Sequence, residues 1–366
     1  MQTSNDPELY WIGLSSIPGV GRVTFRKLAQ HFGSPERALS ASSSELRTIS
    51  SLSDKVINEI ASFSWRAYAE QELAKAREAG IAIIIAGHAT YPDALKDTPD
   101  PPLFLYVKGG LPQGDGIAIV GTRKPTHYGL SVTRRISHEL ASAGLTIVSG
   151  LARGIDTQAH RGALDAAGRT IAVLGCGIDV AYPPENRSLI EEISGSGAVV
   201  TEYPFGTQPE AGYFPARNRI ISGLSRGTVI IEASEDSGSL ITAKYAKEQG
   251  RKLFAVPGNI GMANSRGSNS LIKQGAALVE SAQDILRELN IRTAGNRPAG
   301  AAIALPLLTG DEGPVFHRIT NEPKHIDSLM KESGVTPAKI SGALLTLELK
   351  GLVKQLPGKY YIKESS

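Results

Sequence analysis

The sequence predicts an α/β protein built on a doubly wound parallel sheet, with a helical module before it and a small helix-and-hairpin module after it. Three observations predict this. Six short apolar runs rich in β-branched residues recur between residues 117 and 256, separated by stretches long enough for helices. Such runs suit parallel strands buried on both faces. Gly-rich loops follow several of the runs, and residues 291–310 are rich in Ala, Gly and Pro without periodicity, as a linker is.

The first module spans residues 1–85. Apolar positions recur at helical spacing in 9–14 and 23–28, and Pro18-Gly19-Val20-Gly21 lies between them. Two glycines flanking a valine permit a tight hairpin with bare N–H groups, as close approach to a phosphate requires. Residues 14–39 resemble a helix-hairpin-helix (SAM-like) module, a class that binds DNA backbones without reading sequence. A plain turn between packed helices is the favoured reading, because residues 1–85 carry 9 basic and 9 acidic side chains. A second copy at 46–53 lacks the glycines and is expected only to pack.

The central domain, 86–290, is expected to be Rossmann-like, with strands at 117–120, 145–148, 170–174, 198–201, 228–231 and 252–256. Ligands of such folds bind at the carboxyl ends of the strands. After the 291–310 linker, helices at 314–319, 325–333 and 338–349 and a hairpin over 352–362 predict a winged helix across 311–366. Its recognition helix carries one cation, Lys339, opposed by Glu348, among several leucines. Duplex reading uses more positive charge than that, so a protein-contact or regulatory role is expected.

The 366 residues are 41% hydrophobic and 20% charged, values of an ordinary folded chain. Cys176 is the single cysteine, so an internal disulfide and a two-thiolate zinc site are excluded. The apolar run at 81–86 falls far short of the roughly 20 residues of a bilayer span. The first residues show no basic start followed by an apolar stretch, and a cytoplasmic protein without membrane contact is expected. Net charge is +3. Any nucleic-acid contact must therefore come from a local cluster of cations and backbone donors.

Five loops supply such a cluster. The first strand leads into Gly121-Thr122-Arg123-Lys124 ahead of a helix, a setting for an anion. The second leads into Gly150 and Arg153, and the third into Gly175-Cys176-Gly177, where small residues allow close approach. Arg217, Asn218 and Arg219 bring two guanidinium forks around an amide. Ser237, Gly238, Ser239 and Thr242 form a small-residue turn with hydroxyl donors, and Arg266 adds to the same rim. Cys176 lacks a partner for nucleophilic chemistry and is expected to pack, as is His160. No Gly-x-Gly-x-x-Gly follows the first strand and no Gly-x-x-x-x-Gly-Lys-Ser/Thr occurs, so a dinucleotide enzyme and a nucleotide triphosphatase are not expected.

Val120-Gly121-Thr122-Arg123, residues 149–156 with Ala159-His160, Tyr182-Pro183 with Asn186, Phe214-Pro215 with Arg217-Asn218-Arg219, residues 238–243, and Val256-Pro257-Gly258 with Gly267-Ser268-Asn269 together resemble the DNA-processing protein A (DprA/Smf) family. The likeness covers nearly the whole α/β domain. It implies a non-catalytic protein, without cofactor or metal, that binds and protects incoming single-stranded DNA. It also implies loading of the recombinase RecA in natural transformation and recombination, and a homodimer formed through the α/β domain. Aromatic stacking on the strand would fall to Phe214, Tyr128 or Phe205. The rival reading is a nucleotide-handling phosphoribohydrolase of the same broad fold. Its Pro-Gly-Gly-x-Gly-Thr-x-x-Glu loop needs a carboxylate where Ile241 or Thr242 stands here. Asp156, Asp179, Glu202 and Glu232 lie near strand ends without an assigned role.

Overall fold

A computed structural model describes residues 6–291, 308, 310–320 and 322–363. Nine strands form one sheet: β1 (Ala82–Ile85), β2 (Phe104–Gly109), β3 (Gly116–Gly121), β4 (Thr146–Ser149), β5 (Thr170–Val173), β6 (Ala198–Thr201), β7 (Gly227–Ile231), β8 (Lys252–Ala255) and β9 (Ala277–Leu278). Their spatial order is β1-β2-β6-β5-β4-β3-β7-β8-β9. The seven strands from β6 to β9 are parallel. The chain winds outward from β3 through β4, β5 and β6, then returns to the other side of β3 for β7, β8 and β9. That places a topological switch point between the carboxyl ends of β3 and β7, where open α/β sheets bind ligands.

The doubly wound parallel sheet expected from the sequence is present, and two antiparallel strands extend it at one edge. β1 pairs antiparallel with β2, and β2 antiparallel with β6. Residues 82–85, grouped by sequence with the helical module, are thus the edge of the sheet. Their apolar run is too short for periodicity to separate strand from helix.

Alternation along the central strands explains the layers. Ile117, Ile119, Ile147, Val229 and Ile231 face one side and pack on Ile136, Leu140, Ile155 and Ile285. Ala118, Val120, Val148, Ile171, Val173 and Ile230 face the other and pack on Ile220, Ile221, Ala243 and Ala246. Both faces are dry, which is why the strand sequences read as continuous apolar runs.

The amino-terminal helices include Pro7–Ser16 and Arg22–Phe32, joined by the Pro18–Gly21 hairpin, and Trp65–Glu78. Their apolar core is continuous with that beneath the sheet edge, uniting Leu14, Phe25 and Leu28 with Phe104, Tyr106, Leu174 and Cys176. Buried Glu72 fastens the joint, accepting from Tyr106 Oη at 3.0 Å and from the Phe205 N–H at 3.1 Å. A second fastening is ionic. Glu202 receives Arg219 Nη2 at 2.6 Å and Arg22 Nη1 at 3.3 Å, while Asp100 receives Arg219, Arg22 and Arg26.

The carboxy-terminal module is a winged helix, with helices Glu312–Phe316, Ile326–Ser333 and Pro337–Leu349 and a three-stranded sheet of β10 (Lys324–His325), β12 (Tyr360–Lys363) and β11 (Val353–Leu356). Val315, Leu329, Ile340, Leu344 and Leu347 form its own core. Most of the expected linker, 292–307 and 309, lies outside the described residues. Among the described residues no helix is long and apolar enough to cross a membrane.

Arg219 is 4% exposed, so removing Glu202 strands much of a buried guanidinium. Glu202→Ala is expected to lower stability by ~3 kcal/mol in urea titrations. An unchanged urea midpoint would show that Asp100 alone satisfies Arg219.

Candidate nucleic-acid interface

The β3 loop is shaped from across the switch point. Glu232, at the end of β7, adopts φ +49°, uncommon for a residue with a side chain. Its main-chain oxygen accepts from the Thr122 N–H at 2.8 Å, and its carboxylate accepts from the Thr126 N–H at 2.8 Å and from the Thr126 hydroxyl. Thr126 also caps the helix His127–Ser142 by accepting from the Gly129 N–H at 3.2 Å. A Cβ at Gly129 would stand 2.6 Å from the Glu232 carboxyl carbon, so only glycine admits this clamp. Gly121 and Thr122 are thereby packed at the base of the loop, while Arg123 and Lys124 are exposed. Neither forms an ion pair among the described residues.

The β4 loop is held from inside. Asp156 is buried and accepts from the N–H groups of Gly150 at 3.1 Å and Ala152 at 3.4 Å. Burial pushes its carboxyl up to about 6, against the opposing pull of Arg217 and those N–H donors. Asn186 Nδ2 donates to Leu151 O at 2.9 Å and so braces the residue that turns the loop at φ +57°. Arg153 projects outward and pairs with Glu185 through Nε and, at 3.0 Å, Nη2.

Arg217 and Arg219, read from sequence as two phosphate forks, are both buried and spent on the protein itself. Arg217 Nη1 donates to Gly150 O at 2.8 Å and to Val173 O. Burial pulls its pKa down to about 10, with Asp156 opposing. Arg219 serves the ionic fastening described above. Between them Asn218 reaches the fifth loop, donating to Gly238 O at 3.4 Å. There Gly238 is exposed, Ser237 and Ser239 share a 2.8 Å hydrogen bond, and Ser239 and Thr242 are buried.

These loops enclose a cleft lined by Arg123, Gly150, Arg153, Gly175, Tyr182, Phe214 and Arg217. Phe214 lies against Gly175 and stacks obliquely on Tyr182, with centroids 5.4 Å apart at 34°. The Arg123 guanidinium sits over the Phe214 ring at 5.6 Å. The floor is thus aromatic and the rim cationic, which suits a base and its phosphate. Arg266 is exposed on the helix Ala263–Lys273, without an ion pair among the described residues. Asn264 of that helix donates to Lys124 O at 3.0 Å and joins it to the β3 loop.

Other candidates fall outside the cleft. Phe205 packs edge-on against Tyr106 at 5.5 Å, and Tyr128 donates to Pro257 O at 3.2 Å. In the amino-terminal module Arg22 and Arg26 are turned onto Asp100 and Glu202, so the hairpin's flanking cations are engaged within the protein. Cys176 donates to Val180 O at 3.4 Å, and burial pushes its thiol up to about 11. His160 is fully buried with Nδ1 2.7 Å from Thr170 Oγ1, and burial pushes it down to about 3. Asp179 holds the Gly206 N–H at 2.9 Å. Sequence reasoning missed Tyr182 as part of the floor and Glu232 as the clamp. Tyr182 had a signal, standing in a motif after the third strand's Gly-rich loop.

Residues 82–290 match the family model described as DNA recombination-mediator protein A, and residues 299–359 match that of the DprA winged helix domain. The chain belongs to the DNA recombination-mediator protein A family. Among its relatives, Protein Smf of Synechocystis is 37% identical over 98% of this chain and 99% of its own length. DNA processing protein DprA of Bacillus subtilis is 46% identical over 59% of this chain and 74% of its own. The X-ray structure of DprA from Streptococcus pneumoniae superimposes with a TM-score of 0.66 at 34% identity, covering 77% of this chain and 97% of that one. A structure of DprA from Helicobacter pylori, described for its single-stranded DNA binding mode, gives 0.51 at 35% identity over 56% of this chain and 94% of that one.

Two buried members of the family motifs bear opposite pH signatures. His160 titrates below its ordinary value, so its contribution to stability is complete above about pH 6.5 and is lost as pH falls toward 3. Asp156 titrates above its ordinary value, so its contribution is present below about pH 4 and lost as pH rises through 6. In urea titrations His160→Gln is expected to lose less stability than the parent between pH 6.5 and 4, by up to about 1.4 kcal/mol per pH unit. Asp156→Asn is expected to lack the decline between pH 4 and 6. Parallel pH profiles for parent and variants would contradict both assignments.

Proposed function

We propose that this chain is a non-catalytic, cytoplasmic single-stranded DNA-binding protein that protects incoming DNA and passes it to the recombinase RecA in transformation and recombination. It acts as a homodimer through its α/β domain. The observation that carries this reading is the exposed Arg123 guanidinium, without an ion pair among the described residues, over a Phe214 ring that stacks on Tyr182 in the cleft at the carboxyl ends of β4 and β5, with Lys124 exposed on the same β3 loop. A cation over a base-stacking surface suits a single strand, whose bases are free to stack; in a duplex they are already stacked. The relationship to DprA of Helicobacter pylori, whose structure concerns single-stranded DNA binding, supports the same reading.

The hydrolase alternative needs a carboxylate free to transfer a proton in the cleft. Asp156 is buried and engaged with two backbone N–H groups, and Glu185 is held by Arg153. Ile241 and Thr242 occupy the positions where the hydrolase loop needs its acid. The recognition helix of the winged helix exposes Leu345 and Leu349, which suits a protein contact better than a phosphate backbone.

Equilibrium binding of a fluorescent oligothymidylate over a salt series tests the reading. The parent is expected to prefer the single strand over duplex competitor. Arg123→Ala should bind about 10-fold more weakly and flatten the log–log salt slope by ~0.7. Absence of binding at low salt, or full competition by a mononucleotide, would contradict it.

A further inference from the structure

Ile260 is 92% exposed and Met262 47% exposed, on the loop that follows β8. A lone apolar side chain at the surface is ordinary, but this loop is built to hold its tip in place. Asn259 Oδ1 accepts from the Gly261 N–H at 3.0 Å, and Asn259 O accepts from the Met262 N–H at 3.1 Å. Asn269 brackets Gly258, accepting from its N–H at 3.1 Å and donating to its carbonyl at 2.9 Å.

The loop is also tied to the cationic loop of the cleft. Asn264 donates to Lys124 O at 3.0 Å, and Tyr128, in the first turn of the helix after Lys124, donates to Pro257 O at 3.2 Å. The apolar tip therefore shares supports with Arg123 and Lys124, and Arg266 follows on the helix that the loop enters. Strand order places the Phe214 cleft over β4 and β5 and the Ile260 loop beyond β8, with β3 and β7 between. At about 4.8 Å per strand this separates the two by roughly 15 Å along the carboxyl edge of the sheet.

We propose that Ile260 and Met262 form a second base-contacting station on the single-strand track, with Lys124 and Arg266 as its phosphate contacts. This rests on the single-stranded DNA reading above and extends it. Apolar side chains pack on base faces or wedge between them without reading sequence. Exposed Lys124 and Arg266, on segments joined to this loop, favour a polyanion as the occupant over an apolar protein surface. A strand seated on Phe214 reaches the second station only after crossing the Lys124 loop, so the station adds affinity to long oligonucleotides and none to short ones.

The test compares a dithymidylate, too short to span the two stations, with an oligothymidylate of about 12 nucleotides on the parent, Ile260→Ser, Met262→Ser and Arg123→Ala, with the mass of each free protein measured by light scattering. Ile260→Ser and Met262→Ser are each expected to weaken the longer oligonucleotide about 5-fold, leaving the shorter one, the salt slope and the mass unchanged. Arg123→Ala weakens both lengths. Equal affinity of parent and tip variants at both lengths would overturn the station while leaving the cleft intact. A fall in mass of the free tip variants would also overturn it, by making the tip a contact between copies of the chain. If the parent bound neither length, the single-stranded DNA reading would fall and the station with it.

Discussion

Arg217 is 4% exposed, and its Nη1 donates to main-chain carbonyls at the ends of two neighbouring strands, Gly150 O at 2.8 Å and Val173 O. Taking a guanidinium out of water costs several kcal/mol unless its donors are met and its charge is opposed. Asp156 opposes the charge, and in doing so accepts from Gly150 and Ala152. The two charges close on Gly150 so tightly that a Cβ there would stand 2.6 Å from Arg217 Nη2 and 2.7 Å from Asp156 Oδ2. The Gly-rich β4 loop is therefore a consequence of an internal cation. The ligand-facing wall of the cleft, from Gly150 to Arg153, takes its shape from that pairing.

The same logic sorts the cations of the carboxyl edge. Residues 86–290 hold 20 basic and 20 acidic side chains, so no excess charge is available to be spread over a surface. Arg217 and Arg219 lie two positions apart on one helix and point to different sides of it. One is consumed by the strand ends and the other by Asp100 and Glu202. Arg153 is shared with Glu185, and Arg22 and Arg26 are turned inward. Arg123 and Lys124 remain exposed on a loop held by Glu232 and Asn264, and Arg266 remains exposed on the helix Ala263–Lys273. A neutral domain thus keeps Arg123 unpaired at the cleft while Arg217, Arg219 and Arg153 are spent on the protein itself.

Much of this was legible in the sequence. Parallel strands buried on both faces leave continuous apolar runs, and loops at the switch point carry Gly and cations for reasons of close approach and charge. The helices and hairpin of the winged helix follow from capping and turn chemistry. β1 and β2 were hidden because an edge pair is short and antiparallel, and its partner β6 lies far along the chain. The roles of Arg217 and Arg219 were hidden because sequence marks a guanidinium but not the direction in which its helix aims it. Glu232 was hidden most deeply, since its clamp depends on a left-handed backbone at the end of β7 and on a glycine, Gly129, more than 100 residues earlier.

The central claim is that the strand lies over the Phe214–Tyr182 floor and beneath Arg123. Photocrosslinking of a bromodeoxyuridine oligonucleotide to the full chain, with the adducts mapped by mass spectrometry, tests it most directly. Adducts are expected on Phe214 or Tyr182. Adducts confined to the amino-terminal hairpin at 18–22 or to the winged-helix helix Pro337–Leu349 would contradict it.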